Sequence, residues 1–244
     1  MTLPEQSLQS TIAPFDILPK ALSEAGLDPL FWKPSRVGVM SAWWGHVPFA
    51  HWLTTVTRPS ILVELGTHNG VSFAAFCEGM QRQKVEGRFF AVDTWKGDEH
   101  AGTYEEEIYE NFQLFTQAHY ASFAELVRTT FDEAAPYFAD GSIDLLHIDG
   151  LHTYEAVRHD FETWLPKLSS RAVVLFHDTN VRERDFGVWK LWSELRTQYP
   201  SFEFLHGHGL GVLAVGSEQT QALQALCTLD AVNVALLRDR FAHL

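Results

Sequence analysis

The chain has 244 residues, of which 46% are hydrophobic and 13% aromatic, a composition that supports a packed core and argues against an intrinsically disordered protein. Its formal net charge of -13 argues against nucleic acid and anionic membranes as partners, because both are bound by clustered Lys and Arg. Two distant cysteines, no secretory leader and no apolar run near the ~18 residues of a membrane span together predict a cytoplasmic protein without disulfides.

The first predicted elements lie in an irregular N-terminal extension, residues 1–40, which contains one short predicted helix, Lys20–Ala25. An aromatic-rich helix is predicted over residues 41–56. From residue 61 onward, short apolar runs alternate with stretches of helical period, and this alternation predicts a parallel sheet with crossover helices. The predicted parallel strands are 61–65, 88–93, 126–129, 143–149 and 172–176, followed by an antiparallel hairpin of 202–205 and 211–215.

The stretches between the strands are mostly predicted helices. These are 72–83, 104–125, 131–138, one that begins after Gly150, 188–199 and an amphipathic tail from Ser217. The polar, acidic stretch 96–110 has two open interpretations, a lid over a bound acceptor and a solvated helix face. We therefore predict an α/β fold, a Rossmann-like three-layer sandwich whose seven-stranded sheet is mostly parallel and ends in a C-terminal antiparallel hairpin. One domain, residues 41–216, would lie between the extension and a helical tail, residues 217–244.

Acidic residues stand at the ends of four predicted parallel strands. They are Glu64, Asp93, Asp149 and Asp178. In an open parallel sheet the carboxyl ends of the strands meet at one edge, where ligands bind. Acids are also common in loops as helix caps, but four acids at four strand ends indicate a shared binding site.

The turn after the first strand favours a ligand without phosphate. Gly66 allows a sharp turn and Gly70 a close backbone approach, whereas no GxGxxG or GxxxxGK[ST] phosphate loop is present. Glu64 suits an ammonium group, Ser72 opens a helix whose free N–H groups suit a carboxylate, and Asp93 is placed for ribose hydroxyls. A ligand with an ammonium group, a carboxylate and a ribose is S-adenosylmethionine (SAM).

The turn 64–70 together with Asp93 resembles the class I SAM-dependent methyltransferases. The segments Leu146–Glu155, LHIDGLHTYE, and Phe176–Thr179, FHDT, resemble methyltransferase family 24, a bacterial family associated with glycan and secondary-metabolite genes. The resemblance extends over about residues 40–216. It implies O-methylation of a hydroxyl on a sugar or small-metabolite acceptor, with SAM as the cofactor.

The same resemblance assigns residues to the parts of SAM. The methionine part would be surrounded by Glu64, Gly66, Thr67, Asn69, Gly70 and Ser72. The ribose and the adenine would be held by Asp93, Thr94 and Trp95, with Thr130 and Phe131 near the adenine edge.

The resemblance to metal-dependent sugar O-methyltransferases places a divalent ion at Asp149, His177 and Asp178, after the fourth and fifth strands. His177 departs from that pattern, which usually has a second Asp, and imidazole suits Mn, Fe or Zn better than Mg. His152 is the candidate base that removes the proton of the acceptor, and the alternative is a helix-start residue with a local hydrogen bond.

Other interpretations stay open. A metal-dependent hydrolase would use the cluster of Asp149, His152, His177 and Asp178, although no HExxH signature is present. A non-catalytic SAM-fold module would dock on a glycan-assembly partner through the apolar tail and the aromatic N-terminal segment, and the tail also suggests a homodimer. A nicotinamide dehydrogenase would have the same fold, but the GxGxxG turn of that class is absent from this sequence.

Three further histidines lie near the predicted site in sequence. His147 is predicted to be a core residue because it lies inside a strand. His206 and His208 are predicted turn residues of the hairpin, within reach of the same edge of the sheet.

Overall fold

The structure, a computed structural model, describes residues 22–23, 26–100 and 102–244 of the chain. Residues 20, 21, 24 and 25 of the predicted helix Lys20–Ala25 therefore lie outside the described residues, whereas Leu22 and Ser23 are helical. The strands in the described ranges are β1 (Ile61–Leu65), β2 (Arg88–Asp93), β3 (Gly97–Asp98), β4 (Gly102–Thr103), β5 (Ala124–Arg128), β6 (Ile143–Ile148), β7 (Leu168–His177), β8 (Ser201–Phe204) and β9 (Leu210–Ala214).

The helices follow the strands in the predicted alternation. They are α1 (Val47–Thr57), α2 (Val71–Arg82), α3 (Glu106–Tyr120), α4 (Phe131–Ala134), α5 (Tyr154–Trp164), α6 (Val188–Leu195), α7 (Gln221–Cys227) and α8 (Ala231–Phe241), with short 3-10 helices at Asp28–Phe31, Ala42–His46, Ala135–Tyr137 and Leu165–Lys167. Among the described residues, no helix combines the length and the apolar character that a bilayer crossing needs.

Seven strands form one sheet in the order β5-β2-β1-β6-β7-β9-β8. The strands β5, β2, β1, β6 and β7 run parallel, β9 is antiparallel to β7, and β8 is antiparallel to β9. Parallel neighbours need crossover connections, and the helices that supply them cover both faces of the sheet. The predicted fold, a mostly parallel sheet with a C-terminal antiparallel hairpin, is confirmed.

The sheet divides the apolar core into two layers. Along β7, Val173 and Leu175 pack in the layer of α1 and α2, whereas Val174 and Phe176 pack in the layer of α5 and α6. This alternation follows from the period of two in a strand, and all four side chains are fully buried. Each such burial contributes roughly 1.5–3 kcal/mol, so the strands are anchored on both faces.

The C-terminal tail folds back on the chain. Leu223, Leu226, Leu237 and Phe241 are buried in the same layer as α1. The tail forms two helices rather than one, since the side chain of Asp230 caps α8 by accepting a hydrogen bond from a backbone N–H. The apolar face that suggested a partner surface is therefore used within the chain, and the homodimer stays a prediction.

The acidic stretch 96–110 forms two different structures. Its first part is the small antiparallel hairpin of β3 and β4, and its second part is the exposed beginning of α3 at Glu106. Gly97 and Gly102 have left-handed φ values of +76° and +81° in this small hairpin. The helix predicted over residues 104–125 forms over Glu106–Tyr120, and residues 124 and 125 belong to β5. The exposed beginning of α3 fits a solvated helix face, and the lid stays a prediction.

Asp160 on α5 is a buried carboxyl beneath the end of β6. Its side chain faces Gly150, and the residue is 7% exposed. Burial raises the pKa of Asp160 to about 7, while the charges of His159 and Asp132 act in opposite directions on it. A buried acid with a raised pKa destabilises the folded state at pH values at which the same acid is ionised in the unfolded state.

We expect Asp160→Asn to stabilise the protein, and to do so more at pH 8 than at pH 5. In the wild type the free energy of unfolding is not reduced by Asp160 below its unfolded pKa of 3.8, where the acid is neutral in both states. This stability is lost as the pH rises through the folded pKa of about 7. The gain should be at most about 4 kcal/mol at pH 8 and about 2 kcal/mol at pH 5. Urea unfolding at both pH values measures it, with exposed Asp140→Asn as the control; equal gains would contradict the raised pKa.

Candidate functional site

A cleft of about 450 Å³ opens at the carboxyl ends of the parallel strands. Its walls come from the turn after β1, the ends of β2, β6 and β7, the β3–β4 hairpin and residues 41–43. The predicted polar residues on these walls are Thr67, Asn69, Ser72, Asp93, Thr94, Thr130, Asp149, His152, His177 and Asp178. The strand ends therefore converge on one site, as the sequence predicts.

The turn after β1 touches the end of β6. Gly66 has a φ of +86°, and a Cβ at this position would collide with the carbonyl oxygen of Asp149. The N–H of Asp149 donates to the carbonyl of Leu65 at 2.8 Å, and the N–H of Gly66 donates to that of Val92 at 3.0 Å. Glycine is therefore required here by both the backbone angle and the close approach.

The carboxylate of Asp93 holds the same turn in place. Its Oδ2 accepts hydrogen bonds from the N–H groups of Thr67 at 2.8 Å and His68 at 3.1 Å, and its Oδ1 accepts from the N–H of Trp95 at 2.7 Å. His68 and Trp95 have left-handed φ values of +48° and +49°, which are strained for side chains with a Cβ. Three charge-assisted bonds offset that strain, and Oδ1 keeps a lone pair for a ligand hydroxyl.

Glu64 lies behind the cleft wall rather than on it. The carboxylate is fully buried, and its Oε2 pairs at 2.8 Å with Nδ1 of His147, the residue opposite it in the β1–β6 register. Burial raises the pKa of Glu64, although His147 and the hydroxyls of Ser72 and Thr67 oppose the rise. Oε1 has no hydrogen-bond partner of normal geometry among the described residues, which points to a ligand or a water molecule.

Gly70 and Trp95 also support the turn from behind. A Cβ on Gly70 would collide with the ring of Phe112. Trp95 is 1% exposed, and its Nε1 donates to the carbonyl of His68 at 3.1 Å. Of the residues predicted to lie near the ribose and the adenine, Asp93, Thr94, Thr130 and Phe131 line the cleft and Trp95 does not.

Two carboxylates and two imidazoles meet at the ends of β6 and β7. His152 places its Nε2 3.0 Å from Oδ2 of Asp178 and 3.7 Å from Oδ1 of Asp149. His177 places its Nδ1 3.0 Å from Oδ2 of Asp178 and 3.2 Å from Oδ1 of Asp149. One ligand atom from each of Asp149, His152 and Asp178 lies within 4.8 Å of the others. This group contains His152 and not His177, which the sequence resemblance places among the metal residues.

These four groups hold one another in their charged forms. Burial opposes ionisation of Asp149 and Asp178, but the two histidines outweigh it and hold the pKa of each carboxyl well below its usual range. Burial likewise opposes the charge of the imidazoles, yet the carboxylates raise the pKa of His152 to about 9 and that of His177 well above its usual value. In the metal-free state His152 is therefore protonated at neutral pH and unable to act as a base.

The β8–β9 hairpin orients His177. Nε2 of His177 donates to the carbonyl of Gly207 at 2.9 Å, so Nδ1 is the nitrogen that faces the carboxylates. A hydrogen bond from the outer nitrogen to a carbonyl is the arrangement that orients a metal-binding imidazole. The set of two carboxylates and two imidazoles therefore fits Mn, Fe or Zn better than Mg.

The other two histidines of this hairpin take different positions. His208 places its Nδ1 3.2 Å from Oδ1 of Asp178 and lines the cleft. His206 donates from Nε2 to the carbonyl of Gly45 at 3.0 Å and does not line the cleft. The sequence places both histidines within reach of the edge of the sheet, but of the two only His208 lies at the cleft.

The roof of the cleft is formed by His100, which lies in the stretch 96–110 that is a candidate lid, and by Phe186, which is not predicted from the sequence. The ring of His100 in the β3–β4 hairpin stacks on Phe186 at 4.5 Å between centroids, and its Nε2 lies 2.6 Å from Oδ1 of Asp185. Phe186 also stacks on His152, with a centroid distance of 4.5 Å and ring planes 4° apart. His100 and Asp185 are 85 residues apart in the sequence, so no local pattern predicts their contact. The acidic composition of the stretch 96–110 was the one sequence feature that pointed to this region.

Residues 63–179 match the sequence model of methyltransferase family 24, which is described as a methyltransferase domain. The match runs from β1 to just beyond β7 and includes all four acidic strand ends. A relative in Sinorhizobium fredii, named uncharacterized protein y4gI, is 51% identical over 186 residues, which are 76% of this chain and 20% of that protein. The chain thus spans a fifth of the length of that relative.

Solved methyltransferases have a similar fold. The O-methyltransferase TomG from Streptomyces achromogenes, in complex with SAM, has a TM-score of 0.52 and 18% identity over 81% of this chain and 90% of that chain. An SAH-bound methyltransferase from Podospora anserina has a TM-score of 0.52 and 14% identity over 87% and 97% of the two chains. A methyltransferase from Geobacter sulfurreducens has a TM-score of 0.53 and 15% identity over 72% and 79%.

We expect Gly66→Ala to destabilise the protein more than Gly141→Ala. Both glycines have left-handed φ values, +86° and +69°, so each alanine costs about 1–2 kcal/mol in backbone conformation. Only at Gly66 would the methyl group also collide with Asp149, because no atom lies within 4 Å of the position at Gly141. Urea unfolding should give an additional loss of about 2 kcal/mol for Gly66→Ala; equal losses would contradict the close approach of the two strand ends.

Proposed function

We propose that this chain, whose residues 63–179 match the sequence model of methyltransferase family 24, binds SAM in the cleft and transfers the methyl group to a hydroxyl oxygen of a sugar or small-metabolite acceptor. The observation that carries the proposal is the turn after β1, where a backbone that requires glycine, the start of α2 and the carboxylate of Asp93 converge without a phosphate loop. The SAM complex of TomG, an O-methyltransferase with the same fold, supports the choice of cofactor and of reaction.

The cleft offers partners to the carboxylate and the ribose of SAM. At the start of α2 the N–H groups of Val71 and Ser72 have no partner within the helix, and Gly70 as N-cap offers no side chain. Together with the helix dipole, these groups suit the methionine carboxylate. The free lone pair of Asp93 suits a ribose hydroxyl. Glu64 is fully buried and does not line the cleft, so it offers the ammonium group no direct contact in this conformation.

Methyl transfer from a sulfonium needs little chemistry from the protein. The acceptor oxygen attacks the methyl carbon in line with the C–S bond, whose electron pair returns to sulfur and leaves S-adenosylhomocysteine (SAH). Positioning of the two reactants therefore contributes most of the acceleration. The hydroxyl proton must also be removed, and Asp149, His152 and Asp178 lie where an acceptor would enter the cleft.

We further propose that Asp149, His152 and Asp178 hold a divalent ion. Such an ion would supply positive charge that acidifies the acceptor hydroxyl. In this proposal His152 is a ligand rather than the base that its position in the sequence suggests, since its Nε2 faces the two carboxylates. Asp149 has the more exposed carboxylate of the pair, with 20% of its side chain accessible against 6% for Asp178, and can reach the acceptor.

We expect the wild-type protein to bind SAH and Asp93→Asn to bind it at least tenfold more weakly. An amide at this position cannot accept all three backbone bonds that shape the turn, and a bond to a charged acceptor contributes about 1.5–3 kcal/mol. Isothermal titration calorimetry with SAH measures the effect. The control is Asp132→Asn, which removes an exposed carboxylate paired with exposed His159 and should leave the affinity unchanged.

An absence of SAH binding in the wild-type protein would remove the proposed function. If the same protein then bound zinc and hydrolysed esters or phosphoesters, the cluster would belong to a hydrolase. If Asp93→Asn bound SAH as well as the wild type does, the turn would not be the cofactor site.

We expect Mn²⁺ to bind the protein, with an affinity that falls as the pH is lowered from 9 to 7. A metal ligand must be deprotonated, and the pKa of His152 near 9 means that the ion displaces a proton throughout this range. The apparent affinity should fall by up to about tenfold per pH unit. Calorimetry at pH 7 and pH 8.5 measures it.

Asp178→Asn should weaken Mn²⁺ binding at least tenfold, because it removes a carboxylate that faces both imidazoles. Asp132→Asn is again the control, since it alters an acid–histidine pair of similar geometry at the surface. An affinity independent of pH, or equal losses in the two variants, would place the ion elsewhere.

A further inference from the structure

Arg36 is a buried cation that precedes the matched domain in the sequence. It is 6% exposed, its Nε donates to the carbonyl of Asn69 at 2.9 Å, and its Nη2 donates to Oδ1 of Asn111 at 2.7 Å. The guanidinium also lies over the rings of Phe112 and Phe115, at 5.4 and 4.9 Å from their centroids. Within the ranges that the structure describes, none of its polar contacts is to a carboxylate.

The stability of the fold does not account for this arginine. A charge that leaves water without an opposite charge beside it costs free energy, and burial lowers the pKa of Arg36 accordingly. An unbranched apolar side chain such as Met would fill the same space between the aromatic rings without that cost. A charge at this position therefore indicates a role beyond packing.

The two partners of Arg36 belong to the cofactor turn and its support. Asn69 directly precedes Gly70, the N-cap of α2, and its Nδ2 also donates to the carbonyl of Met40 at 3.0 Å. Asn111 lies on α3 next to Phe112, the residue that packs against Gly70. The segment 36–40 therefore binds the turn from behind at two points and connects it to α3.

The direction of the Asn69 carbonyl matters for the charge in the cleft. Asn69, Val71 and Ser72 line the cleft, whereas Arg36 does not, so the hydrogen bond directs this carbonyl away from the ligand. A carbonyl directed into the cleft would repel a carboxylate at the start of α2. The positive charge of Arg36 behind the turn adds to the potential that the helix dipole creates there.

We propose that Arg36 is a positioning residue for the amino-acid end of SAM, which makes the segment upstream of the matched domain part of the cofactor site. It holds the turn so that the free N–H groups of α2 face the methionine carboxylate and supplies positive potential from behind. This inference rests on the proposed function, because it requires SAM in the cleft.

The test compares SAH with 5′-methylthioadenosine, which keeps the adenosine and the sulfur but lacks the amino-acid end. Calorimetry on the full chain should give an SAH affinity at least tenfold lower for Arg36→Met, with less than a twofold change for 5′-methylthioadenosine. Because Arg36→Met removes two hydrogen bonds as well as a buried charge, a thermal melt checks that the variant is folded. Arg36→Lys keeps the charge but not the planar fork, and should lose SAH affinity to an intermediate extent.

Arg82→Met is the matched control. The guanidinium of Arg82 lies over Trp32 at 5.1 Å and its Nη2 donates to the carbonyl of Lys33 at 3.3 Å, so it makes the same kinds of contact away from the turn. Both ligands should bind this variant as they bind the wild type.

Equal losses for the two ligands, or no loss for either, would overturn the assignment of Arg36. If Arg36→Met does not fold, the folded Arg36→Lys variant decides by the same ratio of affinities, and an unchanged ratio counts against the proposal. A wild-type protein that binds neither ligand would overturn the proposed function and this inference together, whereas normal wild-type binding with an unselective Arg36→Met overturns this inference alone.

Discussion

The close contact between the turn after β1 and the end of β6 determines the geometry of the whole cleft. Gly66 approaches the carbonyl of Asp149 so closely that no side chain fits between them, and backbone hydrogen bonds join both segments to their neighbouring strands. The turn that suits SAM and the acidic cluster at the ends of β6 and β7 therefore share one rigid frame. A displacement of either segment would change the distance between the bound methyl donor and the acceptor, on which in-line transfer depends.

The four acids at the strand ends share a location, but each has a different compensating group. Backbone N–H groups bond the carboxylate of Asp93, the buried Glu64 pairs with His147, and Asp149 and Asp178 pair with His152 and His177. These differences separate the roles. The acid bonded to amides shapes a turn, the buried acid pairs with an imidazole behind the cleft wall, and the two acids with imidazoles form the candidate metal site.

The sequence predicts the sheet and the convergence of the strand ends because both depend on local patterns. Apolar runs of four to seven residues specify the parallel strands, and the acids at the ends of four of them lie at one edge of the sheet because the strands are parallel. The direction in which each side chain points does not depend on local sequence patterns alone. Trp95 turns behind the cleft because its φ is left-handed, and Glu64 faces His147 because of the register between two strands that are 83 residues apart. The contact between His100 and Phe186 and the hydrogen bond from Arg36 to Asn69 depend on segments that meet only in the folded chain.

The functional unit extends beyond the matched domain on both sides. The carbonyl of Gly207, in the β8–β9 hairpin, accepts hydrogen bonds from Nε2 of His177 at 2.9 Å and from Nε2 of His46 at 3.1 Å. Burial and the neighbouring histidines lower the pKa of His46 to about 3, so it stays neutral and donates without adding charge beside the cluster. One backbone oxygen therefore couples a segment upstream of β1, a hairpin downstream of β7 and the imidazole that faces both carboxylates. The matched domain supplies the charged groups, but the orientation of His177 depends on segments that precede and follow that domain.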